Sequence, residues 1–227
     1  MNNSFSLNDV GIVIQGPTFF YKQILENIDY QFQYVWSTWS DEPIENLEEI
    51  KKKVKLIVSN KPNFTGLRNI NLQCKSSEEG IRTLQKPWII KIRSDLIWTN
   101  QKELIKKTFR DIIETQSFAS FLNYKPSIQE MHDFITFSSH ENGLKLWSYR
   151  QTNTDYNSPE KQLCSHLMRL LDVNYDEMVK KMSFCNIFME PNKLDIYSLK
   201  YSVSLGEQCN SDLFGVPTFP KKYNNLC

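Results

Sequence analysis

Arg93, Ser94 and Asp95 place a guanidinium, a hydroxyl and a carboxylate directly after the apolar run Trp88, Ile89, Ile90 and Ile92. A nearly continuous apolar run marks a strand buried on both faces of a parallel sheet. In open α/β sheets, ligands bind outside the carboxyl ends of such strands. The same pattern also describes a strand running into an exposed polar turn. Asp95 and its neighbours are therefore the first candidates for a site, and the elements that position them come next.

Val10 to Gln15 reads as the first strand and ends at Gln15-Gly16-Pro17. Gly16 allows close backbone approach and Pro17 fixes φ for the turn. A helical pattern follows from Tyr21 to Ile28. Phe32 to Trp36 reads as a second strand, ending in Ser37, Thr38 and Trp39, with a helix from Pro43 to about Lys52. Lys53 to Val58 is a third strand. Arg68, Asn69 and Asn71 open a helix that runs to about Gln85, where a helix N-terminus and a guanidinium both favour anions. A solvated, capped first turn has the same composition. Strands alternating with helices predict right-handed crossovers and a mostly parallel sheet, with the polar clusters gathered along one edge.

Beyond residue 100 the signals thin. Gln101 to Thr115 reads as a surface helix, Ser117 to Leu122 and Met131 to Phe137 as strands, and Asn142 to Arg150 as a helix. Gln151 to Asn157 reads as a polar loop. Ser158, Pro159 and Glu160 form a strong helix start, with the hydroxyl as N-cap and proline at the first position. A second helical stretch covers Asp176 to Met182.

The chain has 227 residues, 40% hydrophobic and 13% aromatic, enough for one sizeable core. Its net charge of +1 gives no overall field for nucleic acid. Five cysteines without CxxC spacing suit buried thiols in a reducing, cytoplasmic setting. No run is long and apolar enough for a transmembrane helix, and the N-terminus lacks signal-peptide character. Peripheral membrane contact stays open. His132, His140 and His166 lack metal-site spacing and read as structural or surface residues.

The segments IVIQGP, VWSTWSDE, LRNINLQ and KIRSDL, in that order, with the later HDFITFSS and SPEKQL, resemble the WavE-type lipopolysaccharide-synthesis glycosyltransferases. The likeness spans about residues 10 to 165. It implies an α/β, GT-A-like (Rossmann-related), mostly parallel sheet flanked by helices, in a single domain over 1–227. Residues of about 10–100 would bind the nucleotide and those of about 101–227 the acceptor. It implies transfer of a sugar from a nucleotide-sugar donor, with UDP the first expectation, to a glycan or glycolipid acceptor.

Carried onto this chain, the resemblance puts Gln15, Gly16 and Pro17 along the nucleotide pocket. Ser37, Thr38 and Trp39 fall near the base, with Trp39 able to stack, and Arg68, Asn69 and Asn71 near the diphosphate or donor sugar. Asp95 takes the last position of a DxD-like element that presents Mg²⁺ or Mn²⁺ to the diphosphate. Arg93 stands where many such enzymes carry the first Asp. One carboxylate can still hold such an ion, which keeps several waters and uses substrate oxygens; alternatively, Arg93 neutralises phosphate itself. Inverting transfer needs a carboxylate base for the acceptor hydroxyl. Glu160 and Asp133 compete for that role, and Glu160 is preferred. A sugar nucleotidyltransferase and a non-catalytic nucleotide- or carbohydrate-binding domain are the rival readings.

Overall fold

The structure is a computed structural model and describes residues 6–98, 101–102, 105–106, 119–120, 133, 135–152, 157–172, 174, 177 and 196–198. Eight strands occur among them: β1 (Val10–Gln15), β2 (Gln33–Trp39), β3 (Lys55–Ser59), β4 (Trp88–Arg93), β5 (Leu96–Trp98), β6 (Ala119–Ser120), β7 (Ile135–Ser139) and β8 (Ile196–Ser198). The helices are α1 (Tyr21–Glu26), α2 (Ile44–Lys51), α3 (Ile70–Thr83), α4 (His140–Trp147) and α5 (Pro159–Leu171).

Six strands form one sheet in the order β3-β2-β1-β4-β7-β6. β3, β2, β1 and β4 are parallel, and β7 joins β4 antiparallel. The 3-2-1-4 order of the parallel part is that of half a doubly wound nucleotide-binding sheet. This is the expected α/β class, a Rossmann-related, mostly parallel sheet flanked by helices. β5 leaves the main sheet after the Ser94-Asp95 turn and pairs with β8 in a separate two-stranded sheet.

Side chains alternate across each strand, so the two faces carry different cores. Ile12, Ile14, Tyr34, Trp36, Ile90 and Ile92 pack with Ile24 of α1 and Ile50 of α2 on one face. Val13, Val35 and Ile89 pack on the other with Ile70, Cys74 and Ile81 of α3, Trp147 of α4 and Leu163 of α5. Among the described residues no helix is long and apolar enough to cross a membrane. The thiols of Cys74 and Cys164 are buried, and burial pushes Cys74 up to about 12. Cys185, Cys209 and Cys227 lie outside the described residues.

Several element bounds differ from the sequence reading. β2 runs on through Ser37, Thr38 and Trp39, which are buried strand residues instead of a polar cluster beyond the strand. Serine and threonine weaken the apolar signal, but their backbone still pairs with β3 at Ser37↔Ile57 and Thr38↔Val58. β7 runs antiparallel to both of its neighbours, β4 and β6. Only fragments of the helix expected over 101–115 are described, at 101–102 and 105–106, and both are helical. Residues 123–130 and most of 176–182 lie outside the described residues.

Candidate active site

The ends of three neighbouring parallel strands form a row. Gln15 of β1 is in register with Ser37 of β2 and Arg93 of β4. In-register residues of parallel strands point to one face, here the face covered by α3. The sequence achieves this because Val13, Val35 and Ile89 set the inward phase two or four residues earlier.

The row is tied together by backbone hydrogen bonds. Gly16 N–H donates to the Ser37 carbonyl at 3.1 Å, and Ser94 N–H donates to the Gln15 carbonyl at 2.8 Å. Trp36 Nε1 donates to the Gly16 carbonyl at 3.3 Å. Gly16 has φ of +129° and no room for a side chain, since an added Cβ would lie 2.5 Å from Ser94 Oγ. Both facts require glycine there. Pro17 completes the turn. Thr18 is buried, and its N–H and Oγ1 donate to Glu42 Oε2 at 2.8 and 2.6 Å while Asn46 Nδ2 donates to its Oγ1. Glu42 thus fastens the loop after β1 to the loop after β2. Sequence reading left Glu42 in a polar cluster; a carboxylate five residues after an apolar run carried no sign of its partner.

Polar atoms of this face are left wanting. Gln15 Oε1, Ser37 Oγ, Gln73 Oε1 and Ser77 Oγ are buried and find no hydrogen-bond partner among the described residues. The last two belong to α3, the helix above the row. Buried polar groups are normally satisfied, so each such atom calls for an explanation. Trp39 is 3% exposed.

α3 begins at this same edge, because it follows β3 and leads back to β4. Its entry is unusual. Arg68 and Asn69 both have positive φ, +49° and +64°, after Gly66 at +75°. Left-handed backbone at two consecutive non-glycine residues is uncommon and persists when neighbours enforce it. Those neighbours are visible. Asn71 Nδ2 donates to the carbonyls of Phe64 and Gln151, both at 3.1 Å, and its Oδ1 accepts from Gln151 N–H at 2.6 Å. Gln151 Oε1 in turn accepts from Leu67 N–H. Asn71 is therefore occupied as a clamp. Gln151, expected in a polar loop, is buried.

The charged part of the site lies on β4. Arg93 Nε donates to Asp95 Oδ1 at 2.9 Å and Nη2 donates to Oδ2 at 2.5 Å. Nη1 lies 3.4 and 3.5 Å from the two oxygens of Asp133. Two residues back on the same face, Lys91 is wholly buried; its Nζ donates to the Asp133 carbonyl and sits 4.4 Å from the Trp147 ring centroid. Burial lowers Lys91 to about 8, opposed by the charge of Asp133. Lys91 was missed in the sequence because it interrupts an otherwise apolar strand. The usable signal was that a lysine inside a two-face-buried strand must find a partner.

Glu160 stands in the first turn of α5, partly exposed, beside Ser158, whose Oγ accepts the Lys161 N–H. The structure thus brings Asp133 to Arg93 and Asp95, and places Glu160 on a different element. His140 and His166 each pair through Nε2 with a carbonyl, of Ile81 and Lys145. His132 lies outside the described residues.

The residues at Asp95 do not fit a divalent ion. Both of its oxygens are on Arg93, and Asp133 faces the same guanidinium. Among the described residues no group of three or more His, Cys, Asp or Glu side chains could hold a metal.

No protein-family model matches the chain, and no curated protein matches it. Among solved structures it is similar to a mannosyltransferase from Pyrobaculum calidifontis in complex with GDP-Man and Mn²⁺, at 9% identity and a TM-score of 0.48. That likeness covers 74% of this chain, which spans only 55% of the mannosyltransferase. It is also similar to a cytidylyltransferase from Leptospira borgpetersenii serovar Hardjo-bovis (strain JB197), at 14% identity and a TM-score of 0.47 over 75% of this chain and 73% of that one. The chemistry of the site rests on this chain's own residues.

Proposed function

We propose that this chain is a WavE-type glycosyltransferase. It moves a sugar from a nucleotide-sugar donor, UDP-linked as the first choice, to a glycan or glycolipid acceptor, with inversion. The observation that carries the reading is the row Ser37, Gln15, Arg93 at the carboxyl ends of adjacent parallel strands, with buried oxygens of Gln15 and Ser37 that have no partner among the described residues. That edge is where a doubly wound sheet takes its ligand.

In this reading Gln15, Gly16 and Pro17 border the nucleotide, and Ser37 and Thr38 underlie the base. Trp39, sunk in β2, shapes the pocket wall more than it stacks. Arg68 and Asn69, at the entry of α3, meet the diphosphate with the helix N-terminus behind them. Arg93, Ser94 and Asp95 border the same pocket, and residues of about 101–227 contribute the acceptor side. Arg68 and the N-terminus of α3 would stabilise the leaving diphosphate. The acceptor oxygen attacks the anomeric carbon as the bond to the diphosphate oxygen breaks. Glu160 takes the acceptor's proton, because Asp133 is already engaged by Arg93.

A second reading has its own support. Asp95 bound by Arg93 suits a non-catalytic nucleotide- or carbohydrate-binding domain. Release of nucleoside diphosphate from UDP-, GDP- and dTDP-sugars, and of CMP from CMP-sugars, separates the two. The transferase reading expects release from one donor, reduced 10²-fold or more, as an order of magnitude, by Glu160→Gln with nucleotide binding intact. Nucleotide binding without release from any donor, with and without candidate acceptors, would leave the binding-domain reading. Loss of turnover with Asp133→Asn but not with Glu160→Gln would move the base.

A further inference from the structure

Protein carboxylates hold a divalent ion when they are free of other cations. Asp95 and Asp133 are acidic side chains beside β4, and one guanidinium engages both. Its pairing with Asp95 is fork to fork, through Nε and Nη2, a geometry stronger and more specific than a single ion pair. The cluster is largely out of water, with side-chain exposures of 19% for Arg93, 15% for Asp95 and 5% for Asp133. Arginine does not deprotonate in proteins, so this cation is permanent. Lys91 adds a second positive group on the same face, fixed by the Asp133 carbonyl and the Trp147 ring. Among the described residues, two carboxylates against a guanidinium and an ammonium leave the cluster near neutrality. A doubly charged ion entering it would have to displace Arg93 from Asp95 and would find no excess negative charge among them to repay its lost water.

Resting on the transferase reading for the nucleotide, we infer that Arg93 is the resident cation of the Asp95–Asp133 pair, so that the chain binds its nucleotide without a divalent metal. Arg93 ends β4, two residues before Asp95, and reaches its carboxylate directly. Removing the guanidinium leaves two carboxylates facing one another's space, which is the start of a divalent-cation site.

Thermal unfolding of the full chain tests this with Mn²⁺ alone, with UDP and GDP in chelator, and with each nucleotide plus Mn²⁺. A ligand that binds the native state raises its apparent stability. Wild type is expected to show no upward shift with Mn²⁺ alone, and the same nucleotide shift in chelator as in Mn²⁺. Arg93→Ala is expected to gain an upward shift with Mn²⁺, and Arg93→Ala combined with Asp95→Asn to lose it. A wild-type Mn²⁺ shift abolished by Asp95→Asn would overturn the inference, as would a nucleotide shift that needs Mn²⁺, or Arg93→Ala that folds and gains nothing. Arg93→Gln replaces Arg93→Ala if the latter does not fold, and the wild-type arms decide without either. No shift with either nucleotide would count against the transferase reading, while the Mn²⁺ arms would still judge the role of Arg93.

Discussion

The same four parallel strands present two unlike faces. Toward α1 and α2 they offer Ile12, Ile14, Tyr34, Trp36, Ile90 and Ile92, a dry core. Toward α3 they begin apolar, with Val13, Val35 and Ile89, and become polar at the carboxyl end, with Ser37, Gln15, Lys91 and Arg93. Alternation allows this: one strand can hold the sheet together with its even-numbered residues and build a site with its odd-numbered ones. The first face is where stability is concentrated. The second gives some of it up, through buried polar atoms and a buried lysine, in the part of the fold where ligands bind.

The comparison breaks most sharply at Ile90. It is fully buried on the dry face, opposite Ile12 in the β1–β4 register. Ile90→Ala is expected to cost about 2–5 kcal/mol, by lost burial and the cavity left behind. Urea unfolding measures it; a cost below about 1 kcal/mol would mean that this face is not the stabilising one.

Lys91 tests the polar face by pH. Its folded value is lowered to about 8 from the usual 10.5, with burial the largest cause. Between those values the unfolded chain keeps the proton that the folded chain has lost. Stability therefore rises with pH across the window, as the penalty for burying the charge disappears. Relative to Lys91→Met, wild type should gain stability from pH 8 toward pH 10.5. Urea unfolding of both proteins at the two ends of the window checks this, and a constant difference would contradict it.

Ser37 gives the smallest effect. Its Oγ is buried with no partner among the described residues, so Ser37→Ala removes a desolvated hydroxyl without breaking a bond. Stability should change by less than about 1 kcal/mol, neutral or upward. A loss beyond that, in the same unfolding assay, would reveal a partner and soften the contrast between the faces.

What could be read from the sequence divides along similar lines. β1 and the start of α5 were legible because each signal is local: an apolar run ended by Gly-Pro, and Ser158-Pro159-Glu160 forming a cap. The full length of β2 was not, since Ser37 and Thr38 are polar residues whose burial comes from tertiary packing on the two faces of the sheet. Gln151 was not, because its bonds to Asn71 and Leu67 cross about eighty residues of chain. The Arg93–Asp95 pair could be suspected from a spacing of two. Its closure by Asp133 depends on β7 lying antiparallel beside β4, which no local pattern announces. Gln15, Ser37 and Arg93 therefore share an edge by strand topology, while the partners of Arg93 come from tertiary contacts.

The most direct test of the account is hydrogen exchange of the full chain with and without each of UDP, GDP, CMP and dTDP. The central claim is that the carboxyl ends of β1 to β4 hold the nucleotide. It predicts that one nucleotide slows exchange in the segments just beyond those ends, at 16–20, 40–43, 60–69 and 94–95. Unchanged exchange there with every nucleotide, or slowing confined to the opposite edge at 29–32, 52–54 and 84–87, would contradict it.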